Sequence, residues 1–281
     1  MFLEIIKFII YSALIVLISK YILVTTLRKL AESLKLKPKT VGNIAGYATS
    51  IPELLTITTS SLRGLSGASV YNIISSNVIN FIQYIGAILL NKNVDKIKNR
   101  AIITDIILVI FTILIPIVLL KMNIELNIMI VPIFVILYIL FRVINDNVHK
   151  MYLKNEDEKI EHEIEVEVEE EKESKNRFQT IKYIIYLVIT GFLLYFVGDK
   201  LGNTLETLCK LFNISEAIIG ILLGFITSIP ELMTFFESQK YYKKEADDML
   251  GVVEATNNLL TSNILNLFAI QTIGILITSI L

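Results

Sequence analysis

The chain has 281 residues, 54% of them hydrophobic, and a formal net charge of −1. An apolar share above the ~45–50% usual in soluble domains, with charges gathered in short runs between apolar stretches, excludes an ordinary soluble domain. The single cysteine, Cys209, excludes an internal disulfide, and the absence of Trp leaves any aromatic belt to Tyr and Phe.

Stretches of ~20 apolar residues can cross ~30 Å of hydrocarbon. They predict an all-α, polytopic membrane helical bundle of about eight transmembrane helices. In chain order the spans are Glu4–Leu27, Thr40–Ser61, Ser66–Leu90, Ala101–Leu120, Leu126–Val143, Ile181–Val197, Ser215–Phe236, and one from Leu250 to the end. The first is read as a retained helix, since no small-residue cleavage site precedes the basic run from Arg28. Lys and Arg are dense after span one (Arg28, Lys29, Lys35, Lys37, Lys39) and span three (Lys92, Lys96, Lys98, Arg100). They are sparse after spans two and four (Arg63, Lys121). Positive loops stay inside, so the N-terminus is expected outside and the loop after span five inside. That loop, Asn145 to about Asn176, holds Glu156-Asp157-Glu158 and an acidic tract from Glu161 to Glu173. It lacks calcium-loop spacing with its Gly, and reads as a solvated linker or a helical extension of span five.

One segment occurs twice. Thr49-Ser50-Ile51-Pro52-Glu53-Leu54 recurs as Thr227-Ser228-Ile229-Pro230-Glu231-Leu232, each with a Gly three residues before, Gly46 and Gly224. Downstream, the run Asn72 to Asn80 matches the run Asn258 to Asn266. The copies lie on spans two and seven, an odd number of crossings apart, so they run in opposite directions. Inverted repeats meeting near the midplane, with ions bound at broken helices, are a recurrent transporter plan.

The repeated residue types suit a cation. An ionised Glu in a span costs about 2.5–3.5 kcal/mol or more, so matched Glu53 and Glu231 need a reason to be there. Thr49 and Glu53 share a helix face, with Ser50 adjacent. Pro52 and Pro230 lack the N–H that would bond the carbonyls of Ala48 and Ile226, which predicts a bend and a freed carbonyl in each copy. Hard cations take carboxylate, carbonyl and hydroxyl oxygens, and all three are present. Asn72, Ser76 and Asn80 form one polar stripe; Asn258, Ser262 and Asn266 repeat it. Asn77 and Asn263 point elsewhere and are expected to tie helices together. Glu254 extends the second stripe toward the inner end and is read as interfacial, as is Asp105. His149 and His162 fall in or near the loop without metal-ligand spacing, and no enzyme constellation is present.

At these residues the chain resembles the sodium/calcium exchanger family of the cation/calcium antiporter superfamily, whose two inverted α-repeats carry a Gly-Thr-Ser-x-Pro-Glu core and a downstream Gly-Ser-Asn-x-x-Asn or -Asp core. The resemblance implies ion coordination by Thr49, Ser50, Glu53, Ser76 and Asn80, with Thr227, Ser228, Glu231, Ser262 and Asn266 as their counterparts. It also implies calcium and sodium as transported ions, with no cofactor. Two departures bear on the site. Ala48, Ile226, Ser75 and Thr261 stand where the family has Gly, which alters close helix packing. Asn266 stands where relatives often have Asp, which argues against potassium dependence. Family members commonly have ten spans, so the second half is expected to be short of two: either the protein is a short variant, or a second copy or a partner supplies the packing.

The domains read from the sequence are a first membrane repeat of five helices (1–144), an acidic cytoplasmic loop (145–178), and a second repeat of three helices (179–281). The expected function is secondary-active sodium/calcium exchange by alternating access in the cell membrane. The expected partners are ions and the lipid bilayer, not nucleic acid. A cation/proton antiporter with the same carboxylates and a degenerate, non-transporting exchanger homologue are the alternatives.

Overall fold

The computed structural model describes residues 2–34, 36–122, 124, 126–152, 173–244 and 247–280, and among them every regular element is helical. Helix α1 (Phe2–Ile18) continues through a wide π-type turn, Ser19–Val24, into α2 (Thr25–Ser33). Then follow α3 (Pro38–Thr49), α4 (Ile51–Leu62), α5 (Ser66–Leu90), α6 (Arg100–Lys121) and α7 (Val131–Tyr152). The second half holds α8 (Glu173–Phe212), α9 (Glu216–Thr227), α10 (Ile229–Lys244) and α11 (Asp248–Ile264). A second π-type turn, Leu265–Ile270, leads into α12 (Gln271–Ile280).

Among the described residues, 7 helical stretches are long and apolar enough to cross a membrane. The α3–α4 crossing, two 12-residue halves rich in Thr, Ser, Gly and Asn, is too polar to be among them, whereas the equally broken α9–α10 crossing is counted as Glu216–Lys243. At 1.5 Å per residue each half spans about 18 Å, enough for roughly half a bilayer core. Counting that broken crossing agrees with the eight spans expected. Large apolar side chains such as Phe111, Ile136, Phe192 and Phe196 lie exposed around the bundle, as a lipid-facing surface requires.

The breaks fall at Ser50 and Ser228, two residues before Pro52 and Pro230, and each proline sits in the first turn of the second half-helix. The Ser50 N–H closes the first half-helix on Gly46 O and the Ser228 N–H on Gly224 O, each at 3.2 Å. The prolines supply no N–H to the Ala48 and Ile226 carbonyls, as expected. A consequence not visible in the repeat itself is that Glu53 and Glu231 each lie in the first turn of a helix. The positive end of the backbone dipole there favours a carboxylate, while the carbonyl ends of α3 and α9 face the same region and favour a cation.

Packing follows the inverted repeat. The first half-helix of each copy lies on the long helix of the other, α3 on α11 and α9 on α5. Glycines permit this. A Cβ on Gly46 would lie 2.7 Å from Thr261 Cβ and 2.9 Å from Asn258 O, and one on Gly220 would lie 2.7 Å from Tyr71 Cβ. Gly42 and Gly224 are as closely faced, by Glu254 O and by Ser75 Oγ. Gly42–Gly46 and Gly220–Gly224 are thus two small-x-x-x-small contacts that bring backbones together without a hydrophobic driving force. The family glycines replaced by Ala48, Ile226, Ser75 and Thr261 are not needed for this approach. The Ser75 hydroxyl instead donates to Tyr71 O and Asn72 O, and that of Thr261 to Asn43 Oδ1.

Two apolar clusters flank the centre. One joins α5, α6, α7, α10, α11 and α12 around Tyr84, Phe134, Phe235 and Phe268; the other joins α1 and α8 to the half-helices around Ile15, Leu23, Leu194 and Leu201.

Several sequence boundaries are corrected. Span six runs on to Phe212, fifteen residues past Val197, because the polar turn after Val197 stays helical and packs on α4. Span five runs on to Tyr152, so Asn145 and His149 are helical and buried, not part of a loop. The acidic tract centred on Glu161–Glu171 and His162 lie outside the described residues.

Candidate functional site

All ten residues singled out in the repeats are buried to 1% exposure or less: Thr49, Ser50, Glu53, Ser76, Asn80, Thr227, Ser228, Glu231, Ser262 and Asn266. They come together where the four half-helices meet α5 and α11. Ser262 Oγ donates to Glu231 Oε1 at 3.0 Å and lies 3.0 Å from Ser50 Oγ, so the first copy's motif reaches the second copy's carboxylate through one hydroxyl. The opposite crossing joins Ser76 Oγ and Thr227 Oγ1 at 3.4 Å, and the Ser228 hydroxyl donates to Ser76 O at 3.5 Å.

The asparagines repeat the symmetry in detail. Asn77 Nδ2 donates to Asn263 O and Asn263 Nδ2 to Asn77 O, both at 3.2 Å, which ties α5 to α11 as expected. Asn80 Nδ2 donates to Asn263 Oδ1 and Asn266 Nδ2 to Asn77 Oδ1, both at 3.3 Å. Each of these site amides is thereby held by its N–H end with its oxygen turned the other way. Asn266 also sits in the π-type turn Leu265–Ile270, whereas Asn80 is in regular helix. Such turns widen a helix locally and recur at functional sites.

Five buried oxygens in this cluster have no hydrogen-bond donor: both of Glu53, Oε2 of Glu231, Oδ1 of Asn80 and Oδ1 of Asn266. A buried acceptor left alone costs about 1–3 kcal/mol, more for a charged one. Two carboxylates and two amide oxygens, matched across the repeat, are a donor set for a hard cation. Among the described residues no three acidic, His or Cys side chains gather, so the set is mixed and not carboxylate-rich.

Some participants escaped the sequence reading. Thr56 and Thr234 stand three residues after each Glu and accept from Asn72 Nδ2 (2.8 Å) and Asn258 Nδ2 respectively. The shared Glu-Leu-x-Thr would have revealed them. Asn72 and Asn258 therefore brace the second half-helix of their own copy. Arg142, on α7, donates to Asn43, Thr261 and the Tyr47 hydroxyl and stacks on Tyr47 and Tyr138. A lone Arg inside an apolar span was its only signal. Glu254, read as interfacial, is buried at 2% exposure and lines a small cavity of about 10 Å³ with Val24, Leu27, Val41, Ile44, Ala45 and Thr234. Asp105, also read as interfacial, is fully buried. In both cases neighbouring helices extend past the apolar stretch and cover the residue.

The fold and site define an inverted-repeat helical membrane protein with a mid-bundle, oxygen-lined cluster built from both repeats. The family model for sodium/calcium exchanger protein matches residues 5–145 and 182–281. The chain belongs to that family, one of ion exchangers and not of enzymes. Solved structures of the sodium-calcium exchanger NCX_Mj are similar in fold. One soaked with 100 mM Na+ and 10 mM Sr2+ aligns with TM-score 0.56 and 19% identity, covering 99% of this chain and 83% of that one. Another, soaked with 10 mM Na+ and zero Ca2+, gives 0.56, 20%, 99% and 84%. No curated protein sequence matches.

Proposed function

We propose that this protein exchanges calcium for sodium across the cell membrane by alternating access, with Thr49, Ser50, Glu53, Ser76, Asn80, Thr227, Ser228, Glu231, Ser262 and Asn266 as the ion site. The observation that carries this reading is the matched set of donorless oxygens on Glu53, Glu231, Asn80 and Asn266. Two carboxylates balance one divalent ion or two monovalent ions, so the site can hold either cargo but not both charges at once. The family and the exchanger NCX_Mj, whose fold is similar, support the same ions. The repeats 1–144 and 179–281 both contribute to the site, and the acidic part of segment 145–178, beyond the end of α7 at Tyr152, joins them on the cytosolic side in this reading.

The test is isotopic calcium uptake into proteoliposomes with and without sodium inside. Uptake driven by the outward sodium gradient supports exchange. Uptake driven only by a proton gradient would give the cation/proton antiporter, and none under either would leave the non-transporting reading. Orientation has its own expected result. With the N-terminus outside, a cysteine placed at Glu169 in a Cys209→Ser background is labelled only after permeabilisation, because positive loops are retained inside. Labelling from outside intact cells would reverse the topology.

A further inference from the structure

The helix that carries Asn266 changes register at the ion site. Over the π-type turn Leu265–Ile270 the repeat is five residues instead of four, and the Gln271 N–H closes it on Asn266 O. The polar stripe Asn258, Ser262, Asn266 therefore continues at Gln271, where an unbroken α-helix would present Ile270. Gln271 is 3% exposed, and its Oε1 has no hydrogen-bond donor among the described residues. It lies outside the duplicated segments, and the ten residues of the proposed ion site do not include it.

Helix α12 packs on α4. A Cβ on Gly274 would lie 3.0 Å from Ile57 Cγ2 and 3.2 Å from Ser61 Oγ, so Gly274 meets those two residues. Glu53, Ile57 and Ser61 are four apart and form one stripe of α4. Gln271 stands three residues before Gly274 on the same face of α12, one turn closer to Glu53.

The other copy is closed at the equivalent place. Four residues after Asn80 comes Tyr84. Its ring packs edge-on against Phe235, the counterpart of Ile57, with centroids 5.8 Å apart, and its hydroxyl lies 2.7 Å from Thr256 Oγ1. The carboxylates show the same asymmetry. Glu231 Oε1 accepts from Ser262, whereas Glu53 has both oxygens without a donor among the described residues.

An apolar side chain in place of Gln271 would leave no acceptor unpaired, so packing alone gives no reason for a buried amide. Glu53, Asn266 and Gln271 offer oxygens with a single negative charge between them. That matches one monovalent hard cation; a divalent ion held by these three alone would leave a positive charge uncompensated in the bundle.

We propose that Gln271 is a further cation ligand, which together with Glu53 and Asn266 forms a position for a monovalent ion, sodium in the exchange reading on which the proposal rests. The π-type turn is what brings its oxygen into line, and it makes the two copies unequal in the ions they hold.

The experiment is thermal melting of the purified full chain in detergent, titrated with sodium chloride against choline chloride, and separately with calcium chloride. An ion that binds only the folded state raises the melting temperature saturably. Gln271→Met keeps the length and bulk of the side chain and removes its oxygen. It is expected to raise the half-saturating sodium concentration at least about tenfold, and that of calcium no more than about twofold. Gln271→Glu keeps an oxygen at the same reach and should bind sodium at least as well as the wild type. Unchanged sodium half-saturation in Gln271→Met would overturn the proposal. So would an equal rise for both ions, which a merely structural role predicts. Should Gln271→Met melt too low to titrate, Gln271→Glu decides: wild-type or tighter sodium binding supports the proposal, and binding weakened about tenfold overturns it. A wild type stabilised by calcium but not by sodium would overturn it as well. A wild type stabilised by neither ion would instead overturn the exchange reading.

Discussion

Calcium uptake is expected to be lost when either Glu53 or Glu231 is replaced by Gln. Gln keeps the shape and one acceptor oxygen but removes the charge. A unit charge ~3 Å from a divalent ion is worth several kcal/mol even at an effective dielectric constant of ~20. Calcium affinity should therefore fall by at least about a hundredfold, since each tenfold corresponds to about 1.4 kcal/mol. The two substitutions should be comparable, because both carboxylates are fully buried in the first turn of equivalent half-helices. The fold should survive, since removing an intramembrane charge lowers the insertion cost by about 2.5–3.5 kcal/mol. Asn80→Ala and Asn266→Ala should do less, each removing one neutral oxygen. Uptake by purified variants in liposomes, beside a melting curve, checks this. Wild-type uptake from both Gln variants would remove the carboxylates from the mechanism.

The second large effect is structural. Gly46→Val and Gly224→Val should each destabilise the protein by about 1–3 kcal/mol or more, the usual range for forcing extra carbon into a packed interior. The neighbours cannot yield cheaply. A Cβ at Gly46 would lie 2.9 Å from the backbone oxygen of Asn258, and one at Gly224 2.8 Å from both Asn72 O and Ser76 N. These contacts bring each half-helix against the long helix of the other repeat, so the substitution is also expected to separate proposed site residues such as Ser50 and Ser262, whose hydroxyls lie 3.0 Å apart. Lower melting temperature and lost uptake should appear together. Gly86→Ala is the control: a Cβ there meets nothing within 4 Å, so it should melt as the wild type does. Gly46→Val and Gly224→Val proteins with wild-type melting and uptake would show that the close approach is dispensable.

Much of this was legible from residue order alone. Apolar stretches of membrane-spanning length were sufficient to identify the bundle, because in lipid every backbone polar group must be satisfied within a helix. The duplicated Thr-Ser-Ile-Pro-Glu segment and its odd separation in crossings pointed to an inverted repeat, and the cost of polar groups in hydrocarbon marked the cluster residues. The same cost marked Asn77 and Asn263 as helix ties, which their reciprocal 3.2 Å bonds make them.

Other features depended on contacts between segments far apart in the chain. Asp105, His149 and Glu254 looked interfacial or loop-borne by hydropathy, a local average. Asp105 and His149 are buried because α6 and α7 run on past their apolar stretches and face each other, and Glu254 because α2, α3 and α10 close around it. The sequence alone determined that this protein is a membrane bundle of two inverted copies carrying paired carboxylates, since span length and intramembrane polarity are properties of single segments. Only the tertiary structure decided which oxygens are left without donors, which glycines let backbones touch, and which acid meets which histidine. Those are pairings across the bundle, set by how the helices cross.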